Sequence, residues 1–455
     1  MIKNGGLLTS DQPNPKWLSV LPALIRKRIE DRHNLQKILG NTGWLFFDKI
    51  LRMGVGLLVS VWVARYLGPE QFGAFNFALA FVALFGAFAS LGLDGIVVRD
   101  IVREPEQQYE ILSSAFMLKL YGGIVAFLIS LETIYVMQPA ATQTHWLVGI
   151  IAAGMIFQSF DAIDLWFQSQ VKSKYTVIAK NSVFVIFALV RVVLILNKAP
   201  LIAFAWAALA EIIAGAAGLT MFYIKQHSIL ALCCPRMNIA RRLVKESWPL
   251  ILSSLTVSIY MRIDQIMLAQ MIDNKEVGLY SAALRFSEIW YFIPTVIVSS
   301  VMPSLIQARI ESVETYHNRL QQLFGWLVRI AYLIAIPMTF VSSILIRFLY
   351  GLDYQRAGLI LAIHIWTAVF VFLGVGSTPW TINESTMKYS LVQTTSGCII
   401  NIGLNFILIP LYGGVGAAIA TLIAQIFASF VINALIPKLR VLFMIELRAL
   451  ANPLR

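Results

Sequence analysis

Charge is scarce in this chain, and so is cysteine. Lys, Arg, Asp and Glu make up 13% of 455 residues, where soluble domains carry about 25%; an ordinary water-soluble globule is excluded. Two of the three cysteines, Cys233 and Cys234, are adjacent in a polar break and the third, Cys398, lies in an apolar run. They form neither a disulfide framework nor a metal-ligand spacing. No Gly-rich phosphate loop of the Walker type occurs, which argues against direct ATP hydrolysis. A carbonyl-rich filter such as TVGYG is also missing, which argues against a channel. Breaks such as "GPEQ" and "YGG" are too short to hold the catalytic groups of a membrane glycan polymerase or glycosyltransferase. A non-enzyme is expected, with no metal and no bound cofactor.

Apolar residues are what the chain does have: 58% of the total. They gather into runs long enough to cross a hydrocarbon core of about 30 Å, at roughly 42–66, 73–98, 113–137, 145–168, 176–197, 200–224, 248–270, 279–303, 325–349, 356–380, 389–411 and 414–437. These runs are continuous and rich in Leu, Ile, Ala and Phe. Barrel strands would be alternating segments of about ten residues, so the runs predict helices. The expected fold is an all-α integral membrane protein of twelve spans.

The formal charge of +12 would suggest nucleic acid in a soluble domain, but the placement of the cations points elsewhere. With the N-terminus in the cytosol, the tail before residue 42, the even-numbered loops and the C-terminal tail hold about 24 of the 36 Lys and Arg, a strong positive-inside bias. The opposite face holds Arg65, Lys198, Lys275 and Arg356. Both termini are expected to be cytosolic, with anionic lipid and not nucleic acid as the partner of the basic surface. Residues 1–41, with "IRKRIEDRHNLQKI", are too charged for a cleavable signal and are expected to form a cytosolic arm.

One phrase is written twice. "VARYLGPEQFGAFNFALAF" (63–81) and "LAQMIDNKEVGLYSAALRF" (268–286) align at a constant offset of 205, pairing Gly73 with Gly278, Ala78 with Ala283 and Phe81 with Phe286. The same offset carries Thr42, at the start of span 1, onto Ser247, just before span 7. Six spans precede the basic segment "YIKQHSILALCCPRMNIARRLVKE" and six follow it. Because six is even, the halves should be parallel repeats related by an axis along the membrane normal, an architecture that places a substrate cavity between lobes. The expected division is an arm (1–41), an N-terminal lobe (42–224), a cytosolic inter-lobe loop (225–247), a C-terminal lobe (248–437) and a cytosolic tail (438–455).

An ionised side chain in mid-bilayer costs about 2.5–3.5 kcal/mol on insertion scales, so each marks a cavity or a pair. Span 1 holds Asp48, Lys49 and Arg52; Asp48 and Arg52 are four apart and can pair, while Lys49 and Arg52 share a face. Span 7 holds Arg262 and Asp264, two apart and facing different ways. Span 8 holds Arg285 and Glu288 on one face. Asp161 and Asp164 stand near the end of span 4, where solvation at the headgroups is an alternative. Arg191, Glu211, Arg329, Arg347 and His364 are isolated in their spans; the two later arginines can snorkel, and His364 can be a satisfied interior histidine. The pairs at Asp48–Arg52 and Arg285–Glu288 could serve packing alone. What remains is a positive excess on spans 1, 7 and 8 from Lys49, Arg52, Arg262 and Arg285, which suits an anionic guest, since guanidinium forks match phosphate oxygens.

The blocks "NTGWLFFDKILRMGVGLLVSVWVARYLGPEQFGAFNFALAF", "GLDGIVVRD", "IDQIMLAQMIDNKEVGLYSAALRFSEIWYFIP" and "FILIPLYGGVGAAIAT" resemble those of bacterial polysaccharide (O-antigen and exopolysaccharide) flippases, within the multidrug/oligosaccharidyl-lipid/polysaccharide exporter superfamily. The resemblance runs from about residue 41 to 437. It implies two six-helix lobes around a V-shaped central cavity, in a bacterial inner membrane. The implied activity is the transfer of an undecaprenyl-pyrophosphate-linked glycan, as in lipopolysaccharide or exopolysaccharide synthesis, from the cytosolic to the outer leaflet, with polysaccharide polymerase machinery as a further expected partner. In the related lipid II flippases, cations on helices 1 and 8 meet the pyrophosphate and an Arg-x-x-Glu pair lies on helix 8; Arg285 and Glu288 match that spacing, and Arg52 has a comparable place. This chain lacks the two extra C-terminal helices of those proteins, so lipid II is the less expected cargo. Asp264 and Glu288 are the candidates for coupling to a proton or sodium gradient. A cation-coupled drug exporter of the same superfamily is the rival, and it should favour a cavity richer in unpaired carboxylates.

Overall fold

The computed structural model describes residues 33–225, 234–384 and 386–452, with the side chains of 33–42 and 45–47 excepted. Most of the expected N-terminal arm, residues 226–233 of the inter-lobe loop with Cys233, and residues 453–455 lie outside the described residues. Every regular element among the described residues is helical. The first half comprises α1 (His33–Ser90), α2 (Asp94–Arg103), α3 (Gln108–Met137), α4 (Thr142–Phe157), α5 (Asp161–Ser169), α6 (Ser173–Leu196) and α7 (Leu201–Ile224). The second comprises α8 (Met237–Met271), α9 (Asn274–Glu288), α10 (Phe292–Glu311), α11 (Val313–Tyr350), α12 (Ala357–His364), α13 (Thr367–Gly376), α14 (Thr378–Asn383), α15 (Met387–Tyr412), α16 (Gly414–Ile426), α17 (Ile432–Leu435) and α18 (Arg440–Ala451).

A straight helix the length of α1 would reach roughly 87 Å at 1.5 Å per residue, nearly three times the hydrocarbon core. It is broken at Gly68, whose φ of 70° lies in the left-handed region open to glycine. Pro69 follows, with its φ fixed and no N–H to satisfy at the start of the second arm. Gly56 and Val63 from the first arm and Phe72 and Leu79 from the second line one cavity, so the arms lie side by side.

Ten stretches among the described residues are long and apolar enough to cross a membrane. The first of them, Asp48–Arg103, contains both arms of α1 and therefore two crossings. Residues 248–270 of α8 are not among the ten, because Arg262, Asp264 and Gln265 lower their hydropathy. Counting the first stretch twice and adding α8 accounts for the twelve expected spans.

The two repeated phrases meet each other. A Cβ on Gly73 would stand 1.6 Å from the Asn274 carbonyl oxygen, and one on Gly278 would stand 2.0 Å from that of Pro69. Asn274 is the repeat equivalent of Pro69 and Gly278 that of Gly73, so the contact is reciprocal, as across any two-fold interface. Around it Ala64, Ala78, Phe81, Val277, Ala282 and Ala283 are buried in one core running across both lobes. On the same side Tyr354 donates from Oη to the Ala64 carbonyl at 2.8 Å.

Residues 237–247, expected within a loop, are the first three turns of α8. Ile239 and Leu243 are buried four residues apart, the spacing of an amphipathic helix, and their neighbours pair with the N-terminal lobe: Arg242 with Glu104 at 2.9 Å, Arg99 with Glu246, and Arg236, just before the helix, with Glu110 at 2.5 Å. Pro249 lies in the next turn, so α8 begins against one lobe and ends inside the other. The expected tail likewise contains α18, which buries Leu442, Ile445 and Glu446.

Alanine at Gly73 should separate the lobes at their closest contact and lower the melting temperature of the purified protein by several degrees. Alanine at Gly215, which has nothing within 4 Å of its Cβ position, should be neutral or stabilising by up to about 1 kcal/mol. Equal effects from the two would remove the special role of the seam. Glu446 accepts from Asn433 Nδ2 at 3.0 Å and Ser377 Oγ at 3.1 Å, and burial pushes its pKa from an ordinary 4.5 up to about 8. The native state therefore keeps a proton that the unfolded state loses as pH rises past 4.5, and its advantage shrinks until pH 8 is passed. Wild-type melting temperature should fall across that window relative to Glu446→Gln; parallel pH profiles would contradict this.

Candidate functional site

The cavities of the interior form a chain. Where α1 and α9 part, beginning one turn from the glycine seam, Asn76, Ala80 and Ala83 face Arg262, Arg285 and Glu288 across a space of about 160 Å³. Arg285 and Leu79 also line a neighbouring cavity of about 210 Å³, with Phe184, Arg191 and Glu211 on its far wall. Glu211 is shared with a third cavity of about 200 Å³ that contains Arg52. Gln158, Asp161 and Lys180 are shared with a fourth of about 280 Å³.

Capping of α9 sets the position of Arg285. Asp273 accepts from the Glu276 N–H at 2.8 Å and starts the helix; Glu276 itself accepts from the Gly414 N–H at 2.8 Å and pairs with Arg356 at 2.7 Å. Three turns on, Arg285 opens to the cavity while Leu284 and Phe286 on either side are buried. No carboxylate lies within 4.0 Å of Arg262 or Arg285 among the described residues, and Glu288, three residues on, shares their cavity without an ion pair. The alternative that Arg285 and Glu288 satisfy each other is therefore removed. Two guanidiniums against one carboxylate leave this cavity net positive.

Asp264, two residues from Arg262, faces the opposite way into the C-terminal lobe. Its Oδ2 accepts from Tyr280 Oη at 2.5 Å and Thr421 Oγ1 at 2.5 Å, and its Oδ1 accepts from Asn405 Nδ2 at 2.6 Å. The Asn405 amide also donates to Asn401 Oδ1 at 3.2 Å, while Asn405 Oδ1 is buried without a partner among the described residues. Thr421 has one proton to give, and the Ala417 carbonyl is a second acceptor at 2.9 Å. The cluster is rich in oxygen acceptors, with one formal negative charge. Sequence reasoning found Asp264 and missed Tyr280, Asn401, Asn405 and Thr421, because nothing in their local spacing links three distant helices.

The remaining expected residues are spread along the N-terminal lobe. Arg52 Nε donates to Asp48 at 2.8 Å, as the four-residue spacing allowed, and its guanidinium stacks 5.1 Å from the Phe184 ring centre. Lys49 is exposed and lines none of these four cavities. Asp161 and Asp164 are joined by Lys180 at 2.8 and 3.2 Å. Arg191 and Glu211, taken singly from the sequence, pair at 2.6 Å between α6 and α7. The short 197–200 turn makes those helices neighbours, but the two residues stand at different heights from it, and the long side chains close the gap. His364 is buried, with Nδ1 2.8 Å from Ser287 Oγ, a satisfied interior position.

A sequence profile described as "Polysaccharide biosynthesis protein" matches residues 38–309. A curated protein from Haloferax volcanii, "Probable flippase AglR", is 26% identical over 191 residues; the match spans 39% of this chain and 38% of that protein's length. Among solved structures, the inward-facing conformation of a multidrug resistance MATE family transporter of the MOP superfamily overlaps with a TM-score of 0.69 at 14% identity, covering 89% of this chain and 95% of that one. The lipid II flippase MurJ in an inward closed conformation gives 0.68 at 16% identity, covering 91% of each chain. An outward-facing MATE conformation gives 0.57 at 14% identity, with 92% and 96% covered. The two-lobed fold is therefore shared.

Proposed function

We propose that this chain, which belongs to the polysaccharide biosynthesis protein family, is a flippase that moves a polyprenyl-pyrophosphate-linked oligosaccharide from the cytosolic to the outer leaflet by alternating access. The observation that carries this is the pair Arg262 and Arg285, open to one inter-lobe cavity and free of carboxylate partners. An unpaired guanidinium among membrane spans is costly, and a pyrophosphate supplies what it lacks, bidentate oxygens and opposite charge. The probable flippase that this chain partly matches and the fold overlap with a lipid II flippase support the same activity. The membrane is a bacterial inner membrane with both termini cytosolic, which puts the glycine seam near the outer face and the ion pairs of α8 in the cytosol. Glu288, unpaired on the cavity wall, is the one feature that favours the rival drug-cation exporter; two arginines beside it oppose that alternative.

Coupling falls to the Asp264 cluster. Carboxylate, amide, hydroxyl and carbonyl oxygens suit a hard cation, and a single carboxylate suits one of charge +1, a sodium ion or a proton. Its occupancy would loosen or tighten α8 against α15 and α16, the helices that Asp264 ties together. Glu288 is the second candidate, through its place on the substrate cavity.

In cells depleted of the protein, lipid-linked glycan should become inaccessible to a membrane-impermeant lectin, and wild-type protein should restore access. Arg285→Ala should fail to restore it at normal protein level. Charge-assisted hydrogen bonds are worth about 1.5–3 kcal/mol, so the loss should be at least tenfold; full restoration would sink the assignment. Asp264→Asn should bind lipid-linked glycan as wild type does and lose the response of transport to an imposed sodium or proton gradient in proteoliposomes. An unaltered gradient response would move coupling elsewhere.

A further inference from the structure

The cavity of about 280 Å³ at the far end of the chain of cavities differs in character from the arginine cavity. Asp94, Asp161 and Asp164 face Lys119 and Lys180 in it, so three carboxylates against two ammonium groups leave it slightly negative. The charges are mutually satisfied: Lys119 reaches Asp94 at 2.6 Å, and Lys180 bridges Asp161 and Asp164. Such a wall does not attract phosphate. It does present carboxylate oxygens with spare lone pairs, since each accepts from only one ammonium and can take further donors.

Two carboxamides complete the wall. Gln158 and Gln168 are exposed in the cavity, and neither side chain has a hydrogen-bond partner among the described residues. Gln158 stands at a 3-10 turn, Gln158–Phe160, that interrupts the span between α4 and α5; mid-span breaks of this kind are common where a helix must re-aim side chains. Gln158 lies within span 4, while Gln168 and the two aspartates stand at its cytosolic end, open to water; hydrogen-bonding capacity left unused there is available to a polar guest entering from the cytosol. Alternating acceptors and donors, with little net charge, are the complement of sugar hydroxyls, each of which both donates and accepts.

We infer that this N-terminal vestibule is the glycan subsite, binding neutral or amino sugars of the cargo while Arg262 and Arg285 hold its pyrophosphate. The assignment rests on the flippase function proposed above. Successive cavities adjoin one another, sharing Asp161 and Lys180, then Glu211, then Arg285, so an elongated molecule lying along them would meet both ends. The guest is sorted by charge along its length, anionic end toward the C-terminal lobe and hydroxyl-rich end toward the N-terminal lobe. An acidic sugar facing the three carboxylates is disfavoured, which makes the vestibule a determinant of cargo choice.

The test compares two probes on the purified full chain by native mass spectrometry: undecaprenyl pyrophosphate without sugar, and the undecaprenyl-pyrophosphate-linked oligosaccharide extracted from cells depleted of the protein. Gln168→Ala and Asp164→Asn should each weaken the glycan-bearing lipid about five- to tenfold, the loss of one hydrogen bond, and leave the bare lipid unchanged. Arg285→Ala should weaken both. Gln168 is exposed and bonds to no other described side chain, so its variant should melt as wild type does and keeps the comparison interpretable. If the vestibule variants weaken both probes equally, or neither, the glycan subsite is overturned while the flippase function stands. If wild type binds neither probe, both fail together.

Discussion

Two glycines set the geometry on which the cavities depend. Gly73 and Gly278 bring helix backbones from opposite lobes to within carbonyl contact, an approach that any side chain would forbid. One turn beyond it the same helices diverge, and the space between them is lined on one side by Asn76, Ala80 and Ala83 and on the other by Ser281, Arg285 and Glu288. A close seam at one end and a cavity at the other is what two helices produce when glycines let their backbones touch at one point and small side chains line the space where they part. At the seam itself the contact is between backbones, with the buried core of both lobes packed around it.

Reciprocity at the seam makes the departures from symmetry informative. At the 205-residue offset, Arg285 corresponds to Ala80, Glu288 to Ala83, Arg262 to Leu57, Asp264 to Val59 and Tyr280 to Phe75. The alanines lie in the same cavity as the charged residues they correspond to. Arginine in both copies would have crowded and repelled across the pseudo-axis; alanine in one leaves the volume that a guest needs. The divergence also gives the C-terminal lobe both arginines of the cavity and the buried Asp264; Arg262 and Asp264 stand two residues apart on α8 and on opposite faces. Movement of that helix is therefore felt at both places.

The membrane fold was legible because hydropathy acts locally: a run of apolar residues declares a span whatever it packs against. The repeat was legible for the same reason, since Gly73, Ala78 and Phe81 recur at Gly278, Ala283 and Phe286 as local packing signals. Arg285, Arg262 and Asp264 stood out because charge is rare in spans. Their partners were not legible. Asn405 and Thr421 are ordinary polar residues on α15 and α16, and only the tertiary packing brings them to Asp264. The amphipathic start of α8 was hidden by its basic content, which the eye assigns to a loop until Ile239 and Leu243 are seen to be four apart.

Unpaired guanidiniums in a membrane protein are tolerable only where water reaches them. Arg285 is open to its cavity, so in the empty state its hydrogen bonds go to solvent. A guest that carries phosphate exchanges those waters for charged oxygens, and the gain is largest if the cavity then closes and the local dielectric falls. Binding is thereby linked to closure: the anion stabilises the occluded arrangement more than the open one, by the difference in strength of the same contacts. A neutral guest cannot exert this leverage, because closing over it would bury the cavity's excess positive charge. On the proposed function, the asymmetry between Ala80 and Arg285 would place the electrostatic gain of occlusion in one lobe.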